Sequence, residues 1–156
     1  MDLKHETKTQ DIDVLIKRLK HIQRHVIPMD KTDLSIMKYY PKALNVNVIR
    51  NENREVIGYL AWKEIGFLNK KAYINSFAVL PEYQNKGYGS KLLTYTLNQI
   101  RKTTNLKEIE VDTWKTNNKA LQFYLKHGFH IQKVENPNIT LLKPLREENR
   151  NESQTQ

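Results

Sequence analysis

The chain contains no cysteine. That excludes disulfide scaffolds, cysteine nucleophiles and thiolate metal sites, and it suits a reducing compartment. Nor is there an apolar run near the roughly 20 residues that a membrane-spanning helix needs. The opening MDLKHETKTQ lacks the apolar core of a secretory leader. No repeat, low-complexity linker or break in composition divides the chain. A chain of 156 residues is long enough to bury about two-thirds of its unfolded surface without covalent staples. The expectation is a cytoplasmic protein with no membrane partner. It consists of one domain over residues 1–145 and a polar, disordered tail over 146–156. Residues 1–10, polar throughout, are expected to be loose.

Acid is scarce in one place. The chain carries 26 Lys and Arg against 17 Asp and Glu, a formal charge of +9. Between Tyr83 and Lys107 there is no acid, while Lys86, Lys91, Arg101, Lys102 and Lys107 all fall there. A basic stretch attracts polyanions, among them phosphate-rich small molecules, nucleic acid and acidic lipid. It also suits a solvated helix face.

Hydrophobic period sets the order of elements. Ile12, Leu15, Ile16, Leu19, Ile22 and Val26 repeat at helical spacing until Pro28, and a shorter helix is expected from Asp33 to Tyr40. Val46–Ile49 and Val56–Trp62 then read as a hairpin around Asn51-Glu52-Asn53-Arg54, and Lys71–Leu80 as a third strand. A helix follows with Leu92, Leu93, Thr96, Leu97 and Ile100 on one face. Ile109–Trp114 alternates as a strand, Asn117 caps a helix through Lys126, and Phe129–Val134 and Ile139–Leu142 supply the last strands. The order α-α-β-β-β-α-β-α-β-β implies an α/β (α+β) layer architecture rather than a doubly wound one.

Glycine is scarce too. There are five, and Gly87, Gly89 and Gly128 sit at helix boundaries. Gln84-Asn85-Lys86-Gly87-Tyr88-Gly89 joins strand to helix. Bare N–H groups at such a junction, with the positive end of the helix dipole, make a diphosphate cradle. Lys86 and Lys91 would add full charges. Leu92 stands where a dinucleotide fingerprint needs its third glycine, and no Gly-Lys-Ser/Thr follows, so neither that motif nor a P-loop is present.

The segment from Phe77 to Ser90, FAVLPEYQNKGYGS, resembles the acyl-CoA signature of the GNAT N-acyltransferases. In that signature a strand ending V-x-P leads into [QR]-x-x-G-x-[GA] at the start of a long helix. The segment from Asn117 to Phe129, NNKALQFYLKHGF, is similar to the family's second pattern, N-x-x-A-x-x-[LF]-Y-x-x-x-G-F. The resemblance is strongest over residues 45–143. It implies a mixed, mostly antiparallel sheet flanked by helices and acetyl-CoA as co-substrate, with no metal. By the resemblance, the backbone of Phe77, Ala78 and Val79 pairs with the pantetheine arm. Gln84, Asn85, Lys86, Gly87, Tyr88, Gly89 and Ser90 hold the pyrophosphate. Asn117 contacts the CoA arm or caps the helix of the second pattern, and Tyr124 acts as general acid.

The chemistry asks for such parts. An amine has to lose its proton before it attacks a thioester, the oxyanion needs a donor, and the leaving thiolate needs an acid. Val79 N–H and Tyr124 fit the last two needs. For the first, Asp112 lies five residues before Asn117, where some protein-acetylating members of the family carry a carboxylate. Glu110 is two residues earlier on the same strand face. Both also suit exposed carboxylates paired with Lys or Arg. His21 and His25 are four apart, but without a carboxylate at matching spacing they read as a helix-surface pair.

The expected function is transfer of acetyl from acetyl-CoA to a primary amine, on a small molecule or a peptide, by direct attack in a ternary complex. Two alternatives stay open: an acyl-CoA sensor without catalysis, and a basic nucleic-acid-binding module. For the second, Tyr83, Tyr88 and Tyr95 interleave with the cations, yet no helix-turn-helix, ribonucleoprotein or zinc-finger pattern exists, so a nucleic-acid partner is not expected. A homodimer is allowed.

Overall fold

The computed structural model describes residues 2–6 and 45–147. The helices expected over 12–26 and 33–40, with His21 and His25, and the chain from 148 lie outside the described residues. Seven strands are described: β1 (Asp2–Glu6), β2 (Asn45–Arg50), β3 (Val56–Ile65), β4 (Lys71–Val79), β5 (Glu108–Trp114), β6 (His130–Glu135) and β7 (Asn138–Pro144). The two described helices are α1 (Tyr88–Thr103) and α2 (Asn118–Lys126). The strands form one sheet in the order β1-β2-β3-β4-β5-β7-β6. Every neighbouring pair is antiparallel except β4 and β5.

Strand β1 corrects the expectation of a loose N-terminus for residues 2–6, and it places a strand ahead of the first expected helix; residues 1 and 7–10 lie outside the described residues. Asp2 lies opposite Arg50 and Glu6 opposite Val46. No apolar alternation announces this strand, because main-chain hydrogen bonds hold an edge strand whatever its side chains.

Helix α1 buries Leu92, Leu93, Thr96, Leu97 and Ile100, the face the sequence marks out. It packs on β2, β3 and β4. Each of the aliphatic side chains contributes about 1.5–3 kcal/mol by leaving water. A buried polar pin adds register: Asn47 Nδ2 donates to Thr96 Oγ1 at 2.9 Å and to Gln99 Oε1 at 2.8 Å. Because β4 and β5 are parallel, α1 runs back from the C-terminal end of β4 to the N-terminal end of β5.

Helix α2 is fixed at both ends. Asn117 Oδ1 accepts from Ala120 N–H at 3.1 Å, the expected cap. At the other end Gly128 takes φ +85, Gly128 N–H donates to the Leu125 carbonyl and Phe129 N–H to that of Tyr124. This left-handed closure brings Phe129 back against Tyr124, with ring centroids 5.2 Å apart.

The sheet is not closed along its whole length. Pairing between β4 and β5 covers Ala72 with Ile109, Tyr73 with Glu110 and Ile74 with Val111, and then stops. On its other edge β4 stays paired to β3 as far as Val79 opposite Gly58. Ala61 faces Ser76 while Trp62 faces Ile74, so Asn75 is an extra residue in β4. Such a bulge bends its strand. It sits one residue beyond the last β4–β5 pair, and the two strands part there.

Candidate active site

In the gap between β4 and β5 the end of β4 has no strand partner on that edge among the described residues. Leu80 N–H donates to the Ile57 carbonyl at 2.8 Å, toward β3. By the alternation of a strand, the N–H and carbonyl of Val79 therefore point the other way, into the gap. The Val79 carbonyl is taken by Gln84 Nε2 at 2.9 Å. Gln84 Oε1 in turn accepts from Lys119 Nζ at 2.8 Å, so one side chain ties the strand end to α2.

Beyond Val79 the chain makes a short 3-10 turn, Pro81–Tyr83, and then two left-handed residues, Asn85 at φ 60 and Gly87 at φ 86. Gly87 is the N-cap of α1 and no side chain caps that helix. The first-turn N–H groups of a helix have no partner within it, so those of Tyr88, Gly89 and Ser90 are available to an anion. A Cβ at Gly87 would meet no atom within 4 Å, so its constraint is the backbone angle rather than space. Gly89 differs from Gly87. It is helical, and a Cβ there would lie 3.6 Å from Phe123 and 3.7 Å from Phe77.

Aromatic rings cluster between the end of β4 and α2. Phe77 and Phe123 have centroids 5.6 Å apart, and Phe123 meets Tyr124 edge-on at 5.5 Å. Tyr124 is buried. Burial pushes its hydroxyl pKa well above the ordinary value, and the neighbouring Tyr73 adds to this. The phenol therefore holds its proton through the neutral range. In this respect Tyr124 is a stored proton.

Asp112 is exposed near the mouth of the gap and bonded to two hydroxyls. Tyr73 donates to Oδ2 at 3.0 Å and Thr140 donates to Oδ1 at 2.6 Å. Burial raises the Tyr73 pKa, with the Asp112 carboxylate as the next cause. Glu110 is instead ion-paired with Lys71 at 3.1 Å. The two carboxylates share a strand face, as the alternation implies, but among the described residues the ion pair with Lys71 falls to Glu110.

The basic stretch is split by the fold. Lys86 and Lys91 flank the N-terminus of α1, whereas Arg101 and Lys102 lie in its last turn. At 1.5 Å per residue, Arg101 stands about 15 Å further along the axis than Lys91. That exceeds a Debye length of about 8–10 Å in ordinary buffers. Arg101 and Arg146 serve the far end: Arg101 Nε donates to the Leu145 carbonyl at 2.7 Å, and Arg146 donates to the carbonyls of Arg101 and Thr104.

Three contributors escaped the sequence reading. Tyr73 and Thr140 meet Asp112 from other strands, 39 and 28 positions away, and no local pattern marks such pairs. His127 joins Ser90, 37 positions away, at 2.9 Å. Among the described residues, no group of side chains could hold a metal ion, and no helix is long and apolar enough to cross a membrane.

The acetyltransferase (GNAT) family is matched over residues 17–129, and the chain belongs to that family. It is 26% identical over 133 residues to an N-alpha-acetyltransferase of Sulfurisphaera tokodaii, spanning 80% of this chain and 77% of the relative. It is 28% identical over 120 residues to N-alpha-acetyltransferase 50 of Danio rerio, spanning 74% of this chain and 69% of the relative. Among solved structures, the PaiA N-acetyltransferase of Thermoplasma acidophilum in complex with coenzyme A superposes with a TM-score of 0.67 at 19% identity, covering 92% of this chain and 99% of that one. The protein is thus an N-acetyltransferase by family, with a GNAT fold.

Proposed function

We propose that the chain moves the acetyl group of acetyl-CoA to the α-amine at the N-terminus of a peptide or protein, by direct attack in a ternary complex. The observation that carries this reading is the gap between β4 and β5, with Val79 N–H turned into it, the uncapped helix start at one side and Asp112 at its mouth. The curated relatives named above, both N-alpha-acetyltransferases, support the choice of amine.

Acetyl-CoA supplies an activated acyl group on a thiol leaving group, a diphosphate and an amide-bearing arm. The residues fit those needs. The backbone edge at Phe77, Ala78 and Val79, freed by the departure of β5, offers donors and acceptors to the arm. Gln84, Asn85, Lys86, Gly87, Tyr88, Gly89 and Ser90 form an anion site, and the open side of Gly87 lets a diphosphate approach the main chain. Asn117 serves this site by capping α2. In the reaction, Val79 N–H stabilises the oxyanion, and Tyr124 gives a proton to the departing thiolate.

Asp112 accepts the amine proton, with Tyr73 and Thr140 holding the carboxylate in place. Carboxylates are weak bases, and this suits an α-amine. Its reference pKa of about 7.7–8.0 leaves about a tenth or more of it neutral at pH 7, whereas a lysine amine, at about 10.4, is almost wholly charged.

Leu145 is buried and Arg146 is bonded to the end of α1, so both belong with the described body. We infer a single domain and a cytoplasmic enzyme, in keeping with the lack of cysteine.

The test is thiol release from acetyl-CoA with three peptides: one with a free N-terminus and no lysine, one blocked and containing lysine, and one blocked without lysine. Turnover of the first alone is expected. Turnover of the lysine peptide alone would reassign the acceptor. A thermal shift with acetyl-CoA but no turnover of any amine would leave a sensor.

A further inference from the structure

We propose that His127 is a positioning residue: it decides whether the Ser90 hydroxyl can donate to a diphosphate at the start of α1. The proposal rests on the cofactor reading above. His127 Nδ1 lies 2.7 Å from the Phe123 carbonyl, and Nε2 lies 2.9 Å from Ser90 Oγ. A carbonyl only accepts, so Nδ1 carries the proton of the neutral ring. Nε2 then has a lone pair, and Ser90 must donate to it. In that state Ser90 has spent its one hydrogen on His127 and presents only lone pairs to the surface beside the α1 N-terminus. A phosphate oxygen would meet repulsion there.

Protonation of Nε2 reverses the bond. The imidazolium donates to Ser90 Oγ, and the hydroxyl hydrogen becomes free to donate outward. An anion held by Ser90 therefore favours protonated His127, and by linkage protonation of His127 favours the anion. Imidazole is the side chain that changes charge between pH 5 and 8.

Charged groups face this pair from several elements. His127 is the C-cap of α2, where the helix dipole favours a cation, and its ring stacks on Phe123 at 4.3 Å. Against protonation stand the positive end of α1 and the neighbouring cations: Lys126 in α2, Lys86 and Lys91 beside Ser90, and Lys143, whose Nζ lies against Gly128. His130 follows on β6. A bound diphosphate removes that opposition.

The experiment measures CoA affinity by calorimetry at pH 8 and pH 6 for wild type, Ser90→Ala and His127→Gln. The CoA 3′-phosphate titrates in the same range, so the quantity read is each protein's change relative to Ser90→Ala. Wild type should gain about three- to tenfold more than Ser90→Ala on going to pH 6, the worth of one hydrogen bond. His127→Gln has no titratable ring at this position, so its pH dependence should match that of Ser90→Ala. In wild type, the NMR titration of the His127 ring should move to higher pH when CoA is added. Equal pH dependence in wild type and Ser90→Ala, or a His127 titration unmoved by bound CoA, overturns the proposal and makes the bond a clip between helices. Absence of CoA binding at both pH values overturns the cofactor reading along with it.

Discussion

The Tyr73 hydroxyl donates to Asp112 Oδ2 at 3.0 Å, joining β4 to β5 by side chains close to where their main-chain pairing ends. If Asp112 drains the amine proton, Asp112→Asn should lower kcat at pH 7 by about 10²-fold or more, and the defect should shrink at high pH as the amine loses its proton unaided. Tyr73→Phe leaves the carboxylate in place with one anchor fewer, so its loss should be smaller. A pH–rate profile of both variants checks this. An Asp112→Asn profile parallel to wild type would make the residue structural.

Tyr124→Phe should leave the ring packed between Phe123 and Phe129 and remove only the stored proton. We expect kcat to fall by about 10²-fold or more, with KM for acetyl-CoA little changed. Steady-state kinetics with a turned-over peptide decides the matter, and a variant within about twofold of wild type returns Tyr124 to packing.

The same hydroxyl makes a stability prediction. Its pKa is raised in the folded state, so the folded protein holds this proton more tightly than the unfolded chain does. The stabilisation is fully present below the ordinary tyrosine value of about 10 and is lost as pH rises above it, at up to about 1.4 kcal/mol per pH unit. Denaturant midpoints between pH 9 and 11 should therefore fall less steeply in Tyr124→Phe than in wild type.

The two loop glycines should separate. Gly87→Ala meets no steric block but forces a Cβ into φ +86, which costs about 1–2 kcal/mol and disturbs the cap of α1. It should weaken the thermal shift given by acetyl-CoA. Gly89→Ala, helical and at ordinary contact distance from Phe77 and Phe123, should fold with little loss. Equal cofactor responses in Gly87→Ala and wild type would mean that the loop is only a turn.

Charge reversal tests the split of the basic stretch. Lys86→Glu or Lys91→Glu should weaken CoA binding severalfold and flatten its salt dependence. Lys102→Glu, near the far end of α1, should do neither in 0.15 M salt. Titrations at two ionic strengths distinguish them. An equal effect from Lys102 would place the cofactor phosphates elsewhere.

Much of this protein is local and therefore legible. The buried face of α1 follows from apolar residues at helical spacing, the strands β3 to β7 from alternation and turn residues, and the cap and stop of α2 from Asn117 and Gly128. Each depends on contacts within a few residues, which is the range over which period, capping and backbone preference act. Two motifs likewise pointed to the loop that opens α1 and to Tyr124. The tertiary structure alone decided the rest. That β4 and β5 part after Ile74 and Val111 depends on a one-residue bulge at Asn75, whose effect exists only against a partner strand. The pairing of β1 depends on an edge offered from 40 to 48 residues away. Tyr73 reaches Asp112, and His127 reaches Ser90, across 39 and 37 positions. Hydrogen bonds of a few ångströms between distant segments leave no period in the chain. They are chosen when the sheet and its helices pack, and that packing also places the five cations of one stretch near opposite ends of the same helix.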